Sequence, residues 1–376
     1  MILAAGRVIG AAGEFAPGHV VVQSGLIAAV GEGIPPDADR IFPTGTLVPG
    51  FVDLQLVGSF GVDLLTADEA QVEELSRCLA ATGTTGFLAT LVSAPMDRLH
   101  GALRTLRRAR PIGAVLLGVH LEGPVLNPAR CGAHDPRHLR APDDPEVWRL
   151  IADALPDLQM CTLAPELPGV EALIRWLVQE GVVVAIGHTD ATYEEARRAL
   201  AQARMATHLF NAMRGLHHRE PGVVGAALED PRCLVGLIPD GVHVHPAVIR
   251  LVYRLVGPDR VVLTTDACAA AGMPPGTYTL GGREVSVGAD GVPRLPDGKL
   301  AGSSLRMDQG IANLVRWGIP LADAVRSAAT IPARLLGLAD RGAIAPGMRA
   351  DLCVLDEDFR AVLTLVGGAV VHEAVA

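Results

Sequence analysis

Five stretches decide the reading of this chain: GAVLLGVHLE at residues 113–122, GVVVAIGH at 181–188, ARMATH at 203–208, RCLVGLIPD at 232–240 and RVVLTTD at 260–266. Each is an apolar run of strand length that closes on a polar residue, in order Glu122, His188, His208, Asp240 and Asp266. Between such runs lie segments of helical period, among them VEALIRWLVQEG, TYEEARRALAQA and PAVIRLVYRLVG. Near-continuous apolar strands alternating with amphipathic helices describe a parallel sheet buried on both faces. The length of this region suits an eight-stranded (β/α)8 barrel of the TIM type. A doubly wound open sheet is the alternative, weakened because neither GxGxxG nor a Walker A sequence follows the first strand.

The ends of the chain have a different texture. Residues 1–48 and 340–376 read as short strands broken by Gly, Pro and Asp turns, so they are expected to pair into one small discontinuous β-sandwich domain. Residues 49–339 are then the barrel, with a β-hairpin insert at about 276–298 where GTYTLGGREVSVGADGVPRLPDG interrupts the alternation. The chain has 376 residues, 49% of them hydrophobic, 3% aromatic and 19% charged, with a formal net charge of −9. That composition builds a large aliphatic core and speaks against disorder, nucleic-acid binding and anionic membrane surfaces. No apolar run is long enough to span a bilayer and the N-terminus lacks the order of a signal peptide, so a cytoplasmic enzyme is expected. Six widely spaced cysteines form no CxxC pair and read as buried thiols. Lys299 is the only lysine, in the turn-like PDGKLAGS, which argues against Schiff-base chemistry and against a metal pair bridged by a carboxylated lysine.

Chemistry enters through the strand ends. In a parallel barrel the C-terminal ends of all strands converge on one rim. A single histidine there is usually a hydrogen-bonded core residue, but two histidines and a glutamate at equivalent ends make Glu122, His188 and His208 a candidate metal set. Two imidazoles and one carboxylate with an open fourth position suit a hydrolytic zinc ion. Asp266 reads either as a helix N-cap before ACAAAG or as an acid–base group beside the metal. His134, taken alone in its Pro/Arg-rich loop, reads as a surface residue. Asp53 reads as structural, His217 and His218 as either exposed or functional, and His245 as structural or exposed.

Nine segments from Pro49 to Met307 carry a resemblance: PGFVDLQLVG, HLEGP with NPARCGAH, GHTDATY, THLFNAM, HHREPGVVG, DGVHVHP, TTDACAAAG and LAGSSLRM. Through them the chain resembles the N-acetylglucosamine-6-phosphate deacetylases of the amidohydrolase superfamily, over essentially its whole length. The resemblance implies hydrolysis of an N-acetyl amino-sugar phosphate by one divalent metal per subunit, with Zn2+ first and Fe2+, Co2+ or Mn2+ as alternatives. It implies Glu122, His188 and His208 as ligands, Asp266 as the catalytic acid–base, and His134 as the group that polarises the acetamide carbonyl. Ala133, Asn211, Ala212 and the Leu300–Ala301–Gly302 segment would meet the sugar. Arg219 and His243 would hold the phosphate, with His243 reaching the neighbouring site of a homodimer. One departure stands out: where many amidohydrolases carry HxH on the first strand, this chain has Gln55 and Val57. Val57 cannot ligate, so Gln55 is at most a remnant of a second metal site. A relative acting on a cyclic ureide, or a scaffold that has lost its chemistry, are rival readings; the Arg219 motif and the intact metal set speak against them.

Overall fold

The computed structural model describes residues 1–374. Eight parallel strands run in sequence order around a barrel: β1 (Phe51–Leu56), β2 (Thr84–Val92), β3 (Val115–Glu122), β4 (Leu158–Leu163), β5 (Val183–Ile186), β6 (Met205–Ala206), β7 (Leu234–Leu237) and β8 (Val261–Leu263). The ring closes just past β8, where the Asp266 N–H donates to the Gln55 carbonyl at 2.9 Å and the Val57 N–H to the Ala267 carbonyl at 3.0 Å. Nearly every strand residue is buried because helices cover the outside while side chains fill the inside. The helices start where their sequence says they should. Asp68 and Thr192 each form a capping box with Gln71 and Glu195, and Asp144 caps the helix that opens on Pro145.

The chain ends meet in one eight-stranded sheet. Ile2–Gly10 pairs with Gly18–Gln23 and with Arg40–Pro49, and Arg40–Pro49 pairs in turn with Leu352–Leu355 from the far end. Seven of its strands lie along one hydrogen-bonded path, with Gly13–Phe15 paired off it against Ile2–Gly10, around an apolar core of their own that includes Leu3, Val20, Leu47, Leu352 and Leu363. Another small sheet, Gly276–Leu280 with Arg283–Val287 and Pro293–Arg294, lies beside the barrel mouth. Residues 375–376, which close the C-terminal segment as read from the sequence, lie outside the described residues.

Inside the barrel, polarity rises toward the mouth. The lower layers are apolar, with Val52, Leu54, Leu88, Met160, Ala185, Met205 and Val262 packed together. Above them runs a hydrogen-bonded belt: Thr90 Oγ1 to His120 Nδ1 at 3.3 Å, His120 Nε2 to Thr162 Oγ1 at 2.8 Å, and Thr162 Oγ1 to Thr207 Oγ1 at 2.8 Å. The belt satisfies polar groups that burial would otherwise penalise. Burial pushes His120 down to about 4, so this ring is neutral. Strand side chains alternate, and Glu122 therefore projects one layer above His120.

Candidate active site

The top layer brings together Glu122, His188, His208 and Asp266 from the strand ends. Glu122 closes β3, His188 follows β5 by two residues, and His208 follows β6 by two. His188, His208 and Asp266 all have left-handed backbone, with φ of 47°, 31° and 49°. Such a conformation costs a non-glycine residue about 1–3 kcal/mol and clusters at functional sites, where it aims side chains that a regular strand would point elsewhere.

His208 Nε2 lies 3.1 Å from Glu122 Oε1 and 3.0 Å from His188 Nε2, and His188 Nε2 is 3.4 Å from the same carboxylate oxygen. Three donor atoms that close together, all buried, suit ligands sharing one cation, since tetrahedral bonds of about 2.0–2.2 Å put neighbouring donors about 3.3–3.6 Å apart. The His188 tautomer agrees: Nδ1 sits 3.0 Å from the Arg130 carbonyl, which can only accept, so Nδ1 carries the proton and Nε2 offers a lone pair. Glu122, His134 and His188 also have ligand atoms within 4.8 Å of one another. His134 Nε2 is 3.7 Å from Glu122 Oε2, however, and the His208 nitrogen is nearer, so the tighter set is Glu122, His188 and His208. The donors present thus fit a divalent metal.

Gln55 lies beneath them. Its Nε2 donates to Glu122 Oε1 at 2.8 Å and to Asp266 Oδ1 at 3.3 Å, while its buried Oε1 has no partner. A neutral amide here tethers two carboxylates where a histidine would be a ligand. The carboxylates are driven apart in acidity. Burial alone pushes Glu122 up, but the imidazoles of His134, His188 and His208 gathered around it prevail and hold it well below the usual range. Burial, reinforced by the Glu122 charge, pushes Asp266 well above it. Paired groups with opposed shifts are the pattern of an acid–base site.

A cavity of about 320 Å3 opens over this cluster. Glu122, Ala133, His134, His188, His208, Asn211, Ala212, His243, Asp266, Leu300 and Gly302 line it, with Val57 as an apolar wall. Gly302 has φ of 61°, and a Cβ there would come within 2.7 Å of Leu280 and 2.9 Å of the Asp266 carbonyl, so the wall requires glycine. Ala301 and Arg219 are not on the cavity wall. Arg219 sits on the exposed loop from Gly215 to Glu220, where its Nη1 contacts His218 Nε2 at 2.8 Å. His243 lines its own chain's cavity, its Nδ1 on Asp240 Oδ2 at 2.6 Å. A larger cavity, about 630 Å3, lies on the far side of Asp240 against Arg306, Arg316 and Arg360, but it contains none of the converging metal donors.

Other parts of the motifs brace the site. Asp190 accepts from both Arg130 and Arg214 at 2.7 Å, and Glu166 accepts from Asn127 at 2.8 Å and from the Asp190 N–H at 2.7 Å, which locks the loop that carries His188. Burial, then the nearby His188 charge, pushes His134 down to about 4, so it is a neutral, buried ring and no surface residue. Residues the sequence reading passed over are Ser93, on His134 Nδ1, and Arg283, whose Nη1 donates to the Ala133 carbonyl at 2.6 Å from the sheet beside the mouth. Lys299 is exposed and paired with Asp297 at 2.8 Å.

The Amidohydrolase family pattern matches residues 46–371. The chain belongs to the amidohydrolase family. This amidohydrolase is 40% identical to the N-acetylglucosamine-6-phosphate deacetylase of Vibrio furnissii, over 87% of the chain and 83% of that protein. It is 39% identical to the N-acetylgalactosamine-6-phosphate deacetylase of Escherichia coli O157:H7, over 94% of the chain and 95% of that protein. Its fold superposes on a mutant of the N-acetyl-D-glucosamine-6-phosphate deacetylase of Mycobacterium smegmatis, solved in complex with N-acetyl-D-glucosamine-6-phosphate, with a TM-score of 0.93, 40% identity and 99% coverage of both chains. The amidohydrolase is accordingly a hydrolase with a divalent-metal site.

Proposed function

We propose that the chain hydrolyses the N-acetyl group of N-acetyl-D-glucosamine 6-phosphate, giving D-glucosamine 6-phosphate and acetate in amino-sugar metabolism. One observation carries the reading: a buried Glu–His–His donor set within 3.0–3.4 Å stands beside a carboxyl of raised pKa at the mouth of the barrel. The relatives by sequence and fold supply the substrate class.

Glu122, His188 and His208 are assigned to the metal, and Zn2+ is the ion best matched to two imidazoles and one carboxylate. When bound, such an ion acidifies water toward neutral pH and polarises an acyl oxygen. Asp266 takes the proton of the attacking water as the oxygen bonds to the acyl carbon. It then delivers that proton to the amide nitrogen as the C–N bond breaks, leaving a free amine and acetate. Burial keeps this carboxyl's proton affinity high enough for both transfers. His134 hydrogen-bonds the acyl oxygen where negative charge grows. Ala133, Asn211, Ala212, Leu300 and Gly302 form the wall for the sugar, and Ala301 holds that wall from behind.

Phosphate needs cations, and the cavity itself contributes His243. We assign the second to Arg219 of a neighbouring subunit, because the Arg219 loop is exposed outside its own cavity. A homodimer is supported by apolar side chains left in solvent, Leu251 at 60% and Leu255 at 67% exposure on one helix, with Val242 and Leu216 on loops next to His243 and Arg219. No helix of the described residues is long and apolar enough to cross a membrane. All six cysteines are free, which supports a reducing, cytoplasmic setting.

The Escherichia coli relative favours a second reading in which the 4-epimer, the galactosamine derivative, is the substrate. Acetate release measured side by side on both phosphorylated epimers and on unphosphorylated N-acetylglucosamine tests the proposal. The highest kcat/KM is expected for N-acetyl-D-glucosamine 6-phosphate; equal rates with and without phosphate would refute it.

A further inference from the structure

His134 is held from behind by one residue. Its Nδ1 lies 3.2 Å from the Ser93 backbone N–H and 3.0 Å from Ser93 Oγ. Ser93 follows directly on β2, so both groups are fixed by a rigid strand end. They are also buried, Ser93 at 4% and His134 at 3% exposure. A backbone N–H can only donate. A proton on Nδ1 would point at it, so Nδ1 must present its lone pair, and the hydroxyl can rotate to donate as well. The ring proton is then on Nε2, which faces the cavity 3.7 Å from Glu122 Oε2, too far for a hydrogen bond to that carboxylate. Two further features accompany this arrangement. It packs edge-on against His188 with centroids 4.5 Å apart. Gly123 leaves room for the serine hydroxyl, since a Cβ there would lie 2.4 Å from Ser93 Oγ.

We propose that Ser93 is a positioning residue that fixes His134 as the neutral Nε2–H tautomer, so that His134 donates a hydrogen bond to the acyl oxygen and carries no proton between reactants. The catalytic half of this inference rests on the deacetylase reading; the tautomer does not. Ser93 thereby divides the labour of the site: the histidine stabilises charge, and Asp266 alone moves the proton.

The test is 15N NMR of the zinc-loaded protein labelled at histidine, with His134→Gln to assign the ring. The expected result is a bare Nδ1 and a protonated Nε2 on His134; a protonated Nδ1 would overturn the proposal. Ser93→Ala keeps the backbone donor and loses the hydroxyl. It is expected to lower kcat about tenfold, or about 1.4 kcal/mol, with KM and metal content unchanged. Unchanged kcat in that variant would also overturn the positioning role. If the deacetylase reading were wrong, wild-type protein would release no acetate while still showing the Nε2–H tautomer, so the two failures are separable.

Discussion

Replacing Asp53 by asparagine should stabilise the protein near neutral pH, although it touches a buried residue that ties the two ends of the barrel together. Asp53 Oδ1 accepts from the Gln55 N–H at 3.2 Å and the Thr265 N–H at 3.3 Å, and Oδ2 accepts from the Thr265 hydroxyl. An asparagine can keep all of this. Its Oδ1 serves the two N–H groups, its Nδ2 donates to Thr265 Oγ1, and the threonine hydroxyl turns to the Gln55 carbonyl at 3.3 Å. What changes is the charge. Burial raises the Asp53 carboxyl from its ordinary 3.8 to about 6, against the lowering effect of the same hydrogen bonds. A carboxyl whose folded pKa is raised contributes stability that is fully present below its unfolded pKa and is lost as pH climbs through the folded value. Its ionisation therefore costs the fold about 3 kcal/mol by pH 7. The gain of Asp53→Asn over wild type should be near zero at pH 4, rise between pH 4 and 6, and level off above. Urea midpoints of metal-free wild type and variant across that range measure it. Asp53→Ala is the control: it strands two N–H groups and should lose several kcal/mol, at about 1–3 kcal/mol for each unsatisfied buried group. An Asp53→Asn variant less stable than wild type at pH 7, or a difference that does not change with pH, would show that the buried charge does not cost the fold.

Asp266→Asn keeps the shape of the side chain but cannot cycle a proton; kcat should fall about 10²–10⁴-fold while bound metal is retained. A metal-free variant would instead mark Asp266 as a ligand. His208→Ala removes one donor of the set and should abolish stoichiometric metal binding, read by elemental analysis after gel filtration. Arg219→Ala should raise KM for the phosphorylated sugar about 10–150-fold with little change in kcat, the worth of one charge-assisted hydrogen bond. Mixing Arg219→Ala with Asp266→Asn subunits should restore activity, because one site of each mixed dimer then has an intact Asp266 and the partner's intact arginine. No recovery in a mixture shown to exchange subunits would return Arg219 to its own chain's site.

The barrel was legible because parallel strands buried on both faces leave an unmistakable apolar run, and its rim because convergence of the strand ends is a property of the fold. Glu122, His188 and His208 could be grouped without a structure for that reason alone. Asp240 belongs to the same pattern and yet sits elsewhere. β7 stops at Leu237, and the next three residues turn the carboxylate onto the Val242 and His243 N–H groups, at 2.8 Å each, so that it orients His243 and does not face the metal set. Hydrophobic period reports which residues are buried but not the path of the loops between them. The same limit explains His134, a loop residue by local composition that is buried by contacts made 41 positions away at Ser93. Arg283 depends on a contact 150 positions away with Ala133, and no local pattern encodes it. The Arg219 loop was legible as a motif and not as a place, since nothing in its local composition sets it outside the cavity on the exposed surface.

In the proposed reaction one divalent ion, on Glu122, His188 and His208, supports deacetylation by Asp266. Titrating metal-free protein with Zn2+ while following acetate release from N-acetyl-D-glucosamine 6-phosphate tests it most directly. Activity should rise from nothing in proportion to added metal and level off at a single equivalent per chain, since Gln55 and Val57 leave no second set of ligands. A break at twice that stoichiometry, or full turnover before any metal is added, would contradict it.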